Sequence, residues 1–206
     1  MENKRNNEEK VREREILVGC DECGRGSLAG PVVSGAVIFP SGREWNELRD
    51  SKKLTDKRRR EFNAQLLPNV EWAIGLSHCG IIDEEGIKQA TIESMVNAVL
   101  CLIANKYDDN DIIVKIDGID TLPPLEIGEE IYQEAIIKGD EKIKEISAAS
   151  IIAKVYRDNY MIALHESHPQ YNWKNNKGYG TKEHIKAIQK YGFSEYHRRS
   201  FCKKYV

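Results

Sequence analysis

Two adjacent carboxylates, Asp21 and Glu22, stand beside a glycine-framed arginine, Gly24-Arg25-Gly26. Neighbouring acids repel each other, which is costly unless a cation holds them. Glycine has no Cβ, so such a loop lets backbone approach a ligand closely. Carboxylates beside an anion-friendly loop suggest a metal ion acting on a phosphate. The design recurs along the chain. Asp117 follows Ile112-Ile113-Val114-Lys115-Ile116, and Asp140 follows Ile136-Ile137-Lys138-Gly139. In each case an apolar strand delivers an acid at or near its end, where α/β sheets tend to hold their sites. Four acids converging there would suit Mg²⁺ or Mn²⁺, which favour carboxylate oxygen. Taken singly, Asp117 and Asp140 read at least as well as turn residues, and Asp120 competes with Asp117. The adjacency of Asp21 and Glu22 is what a turn explains poorly.

The elements that must position these acids are legible as patterns. Strands are predicted over 16–20, 32–39, 70–77, 112–116 and 131–137, from apolar runs bounded by turn residues. Helices are predicted over 55–67, capped by Thr55 and followed by Pro68, and over 87–107, 146–164 and 182–190. In the strand over 70–77 the alternation singles out Val70, Trp72 and Ile74. The first strands pair locally, while later strands alternate with helices, which predicts an α/β domain with a mixed sheet. No internal repeat or low-complexity linker divides the chain. We therefore expect a polar tail over 1–14 and a single catalytic domain over 15–206.

Composition narrows the classes. The chain has 206 residues and a net charge of −2, which does not announce a nucleic-acid binder. Distribution matters more than the sum. Basic clusters occur at Lys52-Lys53 with Lys57-Arg58-Arg59-Arg60, and at His197-Arg198-Arg199 with Lys203-Lys204. Each is either a solvated face or a contact to a polyanion. No apolar run approaches the roughly 20 residues needed to span a bilayer. Met1 to Arg14 lacks the apolar core of a signal peptide, so a cytoplasmic location is expected. Five cysteines at irregular spacing argue against a disulfide framework. Small buried side chains are the expectation for Cys20 and Cys23, with a reversible disulfide between them as the minor alternative. The histidines show no zinc-site spacing, which favours surface positions for them.

The small-residue helix after Glu145 carries Ser147, Ser150, Lys154 and Asp158 on one face, with Tyr156 among the residues expected to pack on the sheet. Two readings stand for this polar stripe: a structural Lys154–Asp158 pair, or a wall of the active site.

An ordered series of motifs then resembles the bacterial ribonuclease HII family. It runs from Gly19-x-Asp21-Glu22-x-Gly24-Arg25-Gly26 and Ala29-Gly30-Pro31-Val32 through Asp50-Ser51-Lys52-Lys53-Leu54, Ile116-Asp117-Gly118 and Lys138-Gly139-Asp140. It continues through Ala148-Ala149-Ser150-Ile151-Ile152-Ala153-Lys154, Arg157-Asp158, Gly178-Tyr179-Gly180-Thr181 and Arg199-Ser200-Phe201. The resemblance implies an RNase H-like fold, a central mixed sheet flanked by helices. It implies Mg²⁺- or Mn²⁺-dependent endonucleolytic cleavage of RNA in RNA/DNA hybrids, and incision 5′ of single ribonucleotides embedded in duplex DNA. Asp21, Glu22, Asp117 and Asp140 correspond to the family's catalytic, metal-binding acids. The resemblance implies a two-ion mechanism bridged at Asp21, leaving 3′-hydroxyl and 5′-phosphate ends. Gly24, Arg25 and Gly26 correspond to its ribose-sensing loop, and Tyr179 to its junction tyrosine. Lys52, Lys53 and Lys154 are expected phosphate contacts, with Lys203 and Lys204 adding grip. The expected partner is nucleic acid, with no membrane, and the expected state is a monomer. Cys23 departs from the family, where alanine is common at that place.

Overall fold

Among the residues described by the computed structural model (15–40, 45, 48, 54–104, 111–125 and 131–205), the strands form one mixed sheet. They are β1 (Glu15–Cys23), β2 (Val32–Ile38), β3 (Glu71–Ser77), β4 (Asp111–Asp117) and β5 (Tyr132–Ile136), in spatial order β3-β2-β1-β4-β5. The first three run antiparallel to their neighbours, whereas β1–β4 and β4–β5 are parallel. The mixed α/β sheet expected from the element pattern is thus present.

The helices are α1 (Asp56–Leu66), α2 (Cys79–Ile103), α3 (Lys144–Ser167), α4 (Trp173–Asn176), α5 (Lys182–Tyr191) and α6 (Arg199–Cys202). Thr55 caps α1 by accepting from the Arg58 N–H, as its sequence suggested. Helix α2 begins earlier than its apolar pattern, because residues before Gly86 form a separate helical piece. Gly86 joins the pieces at φ +86°, a kink only glycine takes readily. The short helices α4 and α6 lack enough length for a periodic signal and were not expected.

Helix α2 covers one face of the sheet, packing Met95, Ala98, Val99 and Leu102 on Cys20, Val114 and Ile116. Helix α3 covers the other, with Ala148, Ala149, Ile151 and Ile152 beside Val37, Phe62 and Leu66. It lies very close to the strands. A Cβ on Gly19 would come within 2.2 Å of the Glu145 backbone, and one on Gly35 within 2.6 Å of the Ala149 carbonyl. The small residues of α3 and these glycines let helix and sheet backbones meet, which fixes where α3 lies above the acids.

Several local expectations are corrected. Strand β1 runs on through Cys23, so Asp21 and Glu22 belong to the strand rather than to a following turn. On β3, Ala73, Gly75 and Ser77 are buried on one face, and on the other Val70 is buried and Ile74 packs against the α3-side core, so that of the Val70-Trp72-Ile74 reading only Trp72, 40 % exposed, departs. Tyr156 is likewise 40 % exposed and does not pack on the sheet. Among the described residues no helix is long and apolar enough to cross a membrane.

Candidate active site

Strand geometry decides how the acids meet. Successive side chains on a strand point to opposite faces. Gly19 abuts α3, so Asp21, two residues on, faces the same way. Its carboxylate accepts the Ser150 hydroxyl from α3 and, at 2.7 Å, the Glu22 N–H. Cys20 lies in the α2 layer, and Glu22 joins that side, lining a cleft with Lys88, Thr91 and Met95 of α2. The parallel β1–β4 register pairs Cys20 with Ile116. One step further, Asp21 and Asp117 stand side by side at the strands' C-terminal ends. Glu22 wraps the same end from the opposite face, with its Oε1 3.2 Å from Arg25 Nη1.

Asp140 arrives differently from the sequence expectation. It sits on a single 3₁₀ turn, Gly139–Glu141, entered through Lys138 at φ +55°. Asp140 is buried. The Gly139 N–H donates to Asp117 Oδ1 at 2.6 Å, which ties this turn to the end of β4. Asp120, the competitor of Asp117, pairs at 2.9 Å with Lys88 on the surface.

Asp21 and Glu22 feel each other and the charge of Asp117. Burial, then the adjacent Glu22 charge and also Asp117, push the Asp21 carboxyl well above its ordinary range. Burial also raises Glu22, against the pull of Arg25 and with a push from Asp117. Carboxylates that resist ionising side by side, with Arg25 beside Glu22 as the one nearby cation among the described residues, suit a hard divalent ion. Among the described residues no three acidic, histidine or cysteine side chains yet form a closed ligand shell. Asp21 and Glu22 lie on opposite faces, so the donors surround the sheet end without converging on one point.

The glycine-framed loop lies beside the acids. Gly24 has φ +93°, and a Cβ there would fall 2.1 Å from Arg157 Nε, so this position tolerates glycine alone. Arg25 is half exposed, and Gly26 has open space where a side chain would start. Tyr179 belongs to the segment before α5. The neighbouring Gly178 carbonyl accepts both Leu28 N–H (2.8 Å) and Ala29 N–H (3.2 Å), which joins this segment to the loop. The Tyr179 ring has Lys154 Nζ 5.6 Å and the Arg157 guanidinium 5.4 Å from its centre. Lys154 also pairs with Asp158 at 2.7 Å. The structural Lys154–Asp158 pair of the polar stripe on α3 is present, and the same stripe brings Ser150 to Asp21 and Lys154 to the Tyr179 ring.

Lys52 and Lys53 lie outside the described residues. In the second basic cluster, His197 and Arg198 are fully internal, so they are not a solvated face. His184 and His197 also overturn the expectation of surface histidines. They sit 3.2 Å apart, Nε2 to Nε2, against Trp173 and Tyr171. Cys20 and Cys23 are free thiols. Three strand steps put them about 10 Å apart and on opposite faces, too far for a disulfide. Reasoning from sequence left Ser27, Arg157 and Arg198 without roles.

Comparison with known proteins agrees with this geometry. Residues 18–204 match the family model described as Ribonuclease HII. The chain is 46 % identical over 188 residues to the ribonuclease HII of Ehrlichia ruminantium (strain Welgevonden), covering 90 % of this chain and 85 % of the relative. It is 43 % identical over 201 residues to that of Treponema denticola (strain ATCC 35405), covering 92 % and 99 %. Among solved structures it resembles the ribonuclease H2 of Pyrococcus horikoshii OT3, with TM-score 0.73, 25 % identity and coverage of 92 % and 96 %. The Bst ribonuclease HIII in complex with Mn²⁺ shares the fold, with TM-score 0.73, 18 % identity and coverage of 93 % and 69 %.

Proposed function

This chain belongs to the ribonuclease HII family, and we propose that it is an endonuclease that hydrolyses the RNA strand of RNA/DNA hybrids and incises 5′ of single ribonucleotides in duplex DNA. One observation carries the reading: Asp21 and Asp117 stand abreast at the sheet end, within reach of the Gly24–Gly26 loop and the Tyr179 segment. A phosphate placed over the acids would therefore have its ribose beside that loop.

Asp21, Glu22, Asp117 and Asp140 would hold the divalent cation, Mg²⁺ or Mn²⁺, and two such ions on our reading. When bound, such ions supply charge neutralisation for an in-line displacement at phosphorus and an activated water. The chain's own residues do the rest. Ser150 and the Glu22 N–H orient the Asp21 carboxylate. The Gly139 N–H orients Asp117. Arg25 offers a cation at the rim of the acids. Backbone groups of Gly24, Arg25 and Gly26 come near enough to read a 2′-hydroxyl, which can donate and accept. Tyr179 would stack on the sugar that follows and exclude a 2′-hydroxyl there by size. Lys154 adds positive charge beside that ring. Water attacks the phosphorus on the 5′ side of the ribonucleotide, leaving a 3′-hydroxyl and a 5′-phosphate. We read the residues from 15 onward as one catalytic unit acting as a monomer.

The test is an end-labelled DNA duplex with one ribonucleotide, incubated with Mg²⁺, Mn²⁺ or chelator. A metal-dependent single cut on the 5′ side is the expected outcome. Degradation of a long hybrid without that cut would remove single-ribonucleotide recognition from the loop and Tyr179.

A further inference from the structure

Two arginines lie wholly inside the protein beneath the Gly24–Pro31 segment, and their positions are unusual for cations. Arg157 of α3 is fully buried and uses its whole fork. Its Nε donates to the Pro31 carbonyl at 2.9 Å, Nη1 to the Lys177 carbonyl at 2.9 Å, and Nη2 to Ser27 Oγ at 2.7 Å and the Ala29 carbonyl at 3.0 Å. Arg198, from the segment before α6, is equally buried. Its Nε donates to the Gly30 carbonyl and its Nη1 to the Arg25 carbonyl, both at 2.9 Å. Among the described residues neither forms an ion pair with a carboxylate. Burial, reinforced by the Arg157 charge, brings Arg198 down to about 9. Two buried guanidinium groups without counter-charge are costly to keep, so their cost needs a return.

The return is visible in where the loop's carbonyls point. Arg25, Ala29, Gly30 and Pro31 turn their carbonyl oxygens onto the two guanidinium groups. The Gly24 carbonyl turns onto Ser27, whose hydroxyl donates to it at 2.8 Å while accepting from Arg157. Acceptors are thus gathered on the inner side. The Arg25 and Gly26 N–H groups make no hydrogen bond to another described residue. With the Gly24 and Arg25 carbonyls held inward, the Arg25 and Gly26 N–H groups across the same peptide planes are turned outward as donors, which is the arrangement an anion or an acceptor oxygen needs. Arg157 reaches both halves of the neighbourhood, since it also holds the Lys177 carbonyl and lies against the Tyr179 ring.

We propose that Arg157 and Arg198 are positioning residues for ribose recognition: by drawing the loop's carbonyls inward, they present the Arg25 and Gly26 N–H groups to the scissile ribonucleotide and its phosphate. This rests on the reading of Gly24–Gly26 as the ribose-sensing loop. Lysine keeps the charge but loses the planar fork, so Arg157→Lys and Arg198→Lys test geometry separately from electrostatics.

The substrate is a duplex with one ribonucleotide, and the competitor is the all-deoxy duplex of the same sequence. For each variant kcat falls about 10- to 100-fold, because small misplacements of substrate-reading groups are amplified in rate. The inhibition constant of the all-deoxy duplex stays within about twofold, because backbone contacts elsewhere supply general affinity. A merely structural role would instead lower the fraction of folded protein, seen by thermal melting, and leave kcat per folded molecule unchanged. Wild-type kcat in both folded lysine variants overturns the proposal, as does a parallel loss of all-deoxy affinity. Ser27→Ala serves where a lysine variant does not fold, because it cuts the link between Arg157 and the Gly24 carbonyl. It should reduce kcat severalfold, and an unchanged kcat there also overturns the proposal. Failure of wild type to cut the embedded ribonucleotide is a separate outcome, which removes the parent reading and this one with it.

Discussion

Asp21 shows how a single side chain is placed at odds with stability. It is buried, pressed by Glu22 and Asp117, and held by Ser150 and a backbone N–H. Asparagine at this place keeps the hydrogen-bond acceptor and removes the repelling charge. Asp21→Asn should therefore abolish cleavage while raising the stability of chelator-treated protein by about 1 kcal/mol. Cleavage assays and thermal melts in chelator check the two halves, and near wild-type cleavage would remove Asp21 from the metal site. Gly24 is constrained in the opposite sense. Gly24→Ala combines a left-handed backbone with a Cβ driven onto Arg157. A loss of about 1–3 kcal/mol is expected, measurable by denaturant titration, together with reduced cleavage. Tyr179→Ala should cost more on a single embedded ribonucleotide than on a long RNA stretch, because only the former has a deoxyribose immediately after the cut. Equal losses on both substrates would count against the junction role.

Between elements, the attachment of α6 is made by a residue far away in sequence. Asp83, at the start of α2, accepts from the Arg199 and Ser200 N–H groups, each at 2.9 Å, and from the Ser200 hydroxyl. These are the orphan donors that any helix start leaves. Here a side chain about 116 positions away supplies what the local N-cap, Arg198, does not. Losing such a cap costs about 1 kcal/mol, which for a domain of this size is a melting shift of about 2–4 °C. Asp83→Ala should show that shift in calorimetry. Because Arg198 is adjacent to α6 and holds the Arg25 carbonyl, cleavage should fall as well. The contact of α3 with the sheet is the second inter-element constraint. It depends on Gly19 and Gly35 being bare, and it delivers Ser150, Lys154 and Arg157 to the acids and the loop.

At the scale of the whole molecule, the buried pair His184 and His197 makes folding sensitive to acid. The network fixes their tautomers. Trp173 Nε1 donates to His184 Nε2, and the Ser194 N–H donates to His197 Nδ1. His184 Nδ1 therefore donates to the Tyr179 carbonyl, and His197 Nε2 donates to His184. A second proton on either ring would face a donor. Burial, together with the His184 charge, lowers His197 from 6.5 to about 4, and burial lowers His184 as well. The unfolded chain then binds more protons than the folded one between those values, so stability rises with pH across that window. Acidification from about 6.5 toward 4 should remove roughly 3 kcal/mol through His197. Denaturant midpoints measured across this range for wild type and for His197→Gln check it, because the raised Asp21 and Glu22 carboxyls act in the opposite sense over the same range, and identical slopes in the two proteins would show that His197 accepts its proton without strain.

Short-range patterns were enough for the fold class and the candidate acids. One acid pair and two single acids after apolar runs, a glycine-framed arginine and alternating elements pointed to an α/β sheet with carboxylates at its strand ends, because these patterns are local. Period-two and period-3.6 burial is written residue by residue, and so is a cap such as Thr55. How the acids stand depends on long-range pairing. The register of β1 on β4 sets Asp21 beside Asp117, and strand alternation sends Glu22 to the other face. Tertiary structure also decided that His184, His197, Arg157 and Arg198 are internal. Composition marks such residues as surface, and they become interior only when carbonyls from distant segments arrive to satisfy them. Those partners lie up to 173 positions away, as with Arg198 and the Arg25 carbonyl. No local pattern records them, because the free energy that pays for burying each charge comes from contacts that exist only once the chain has closed.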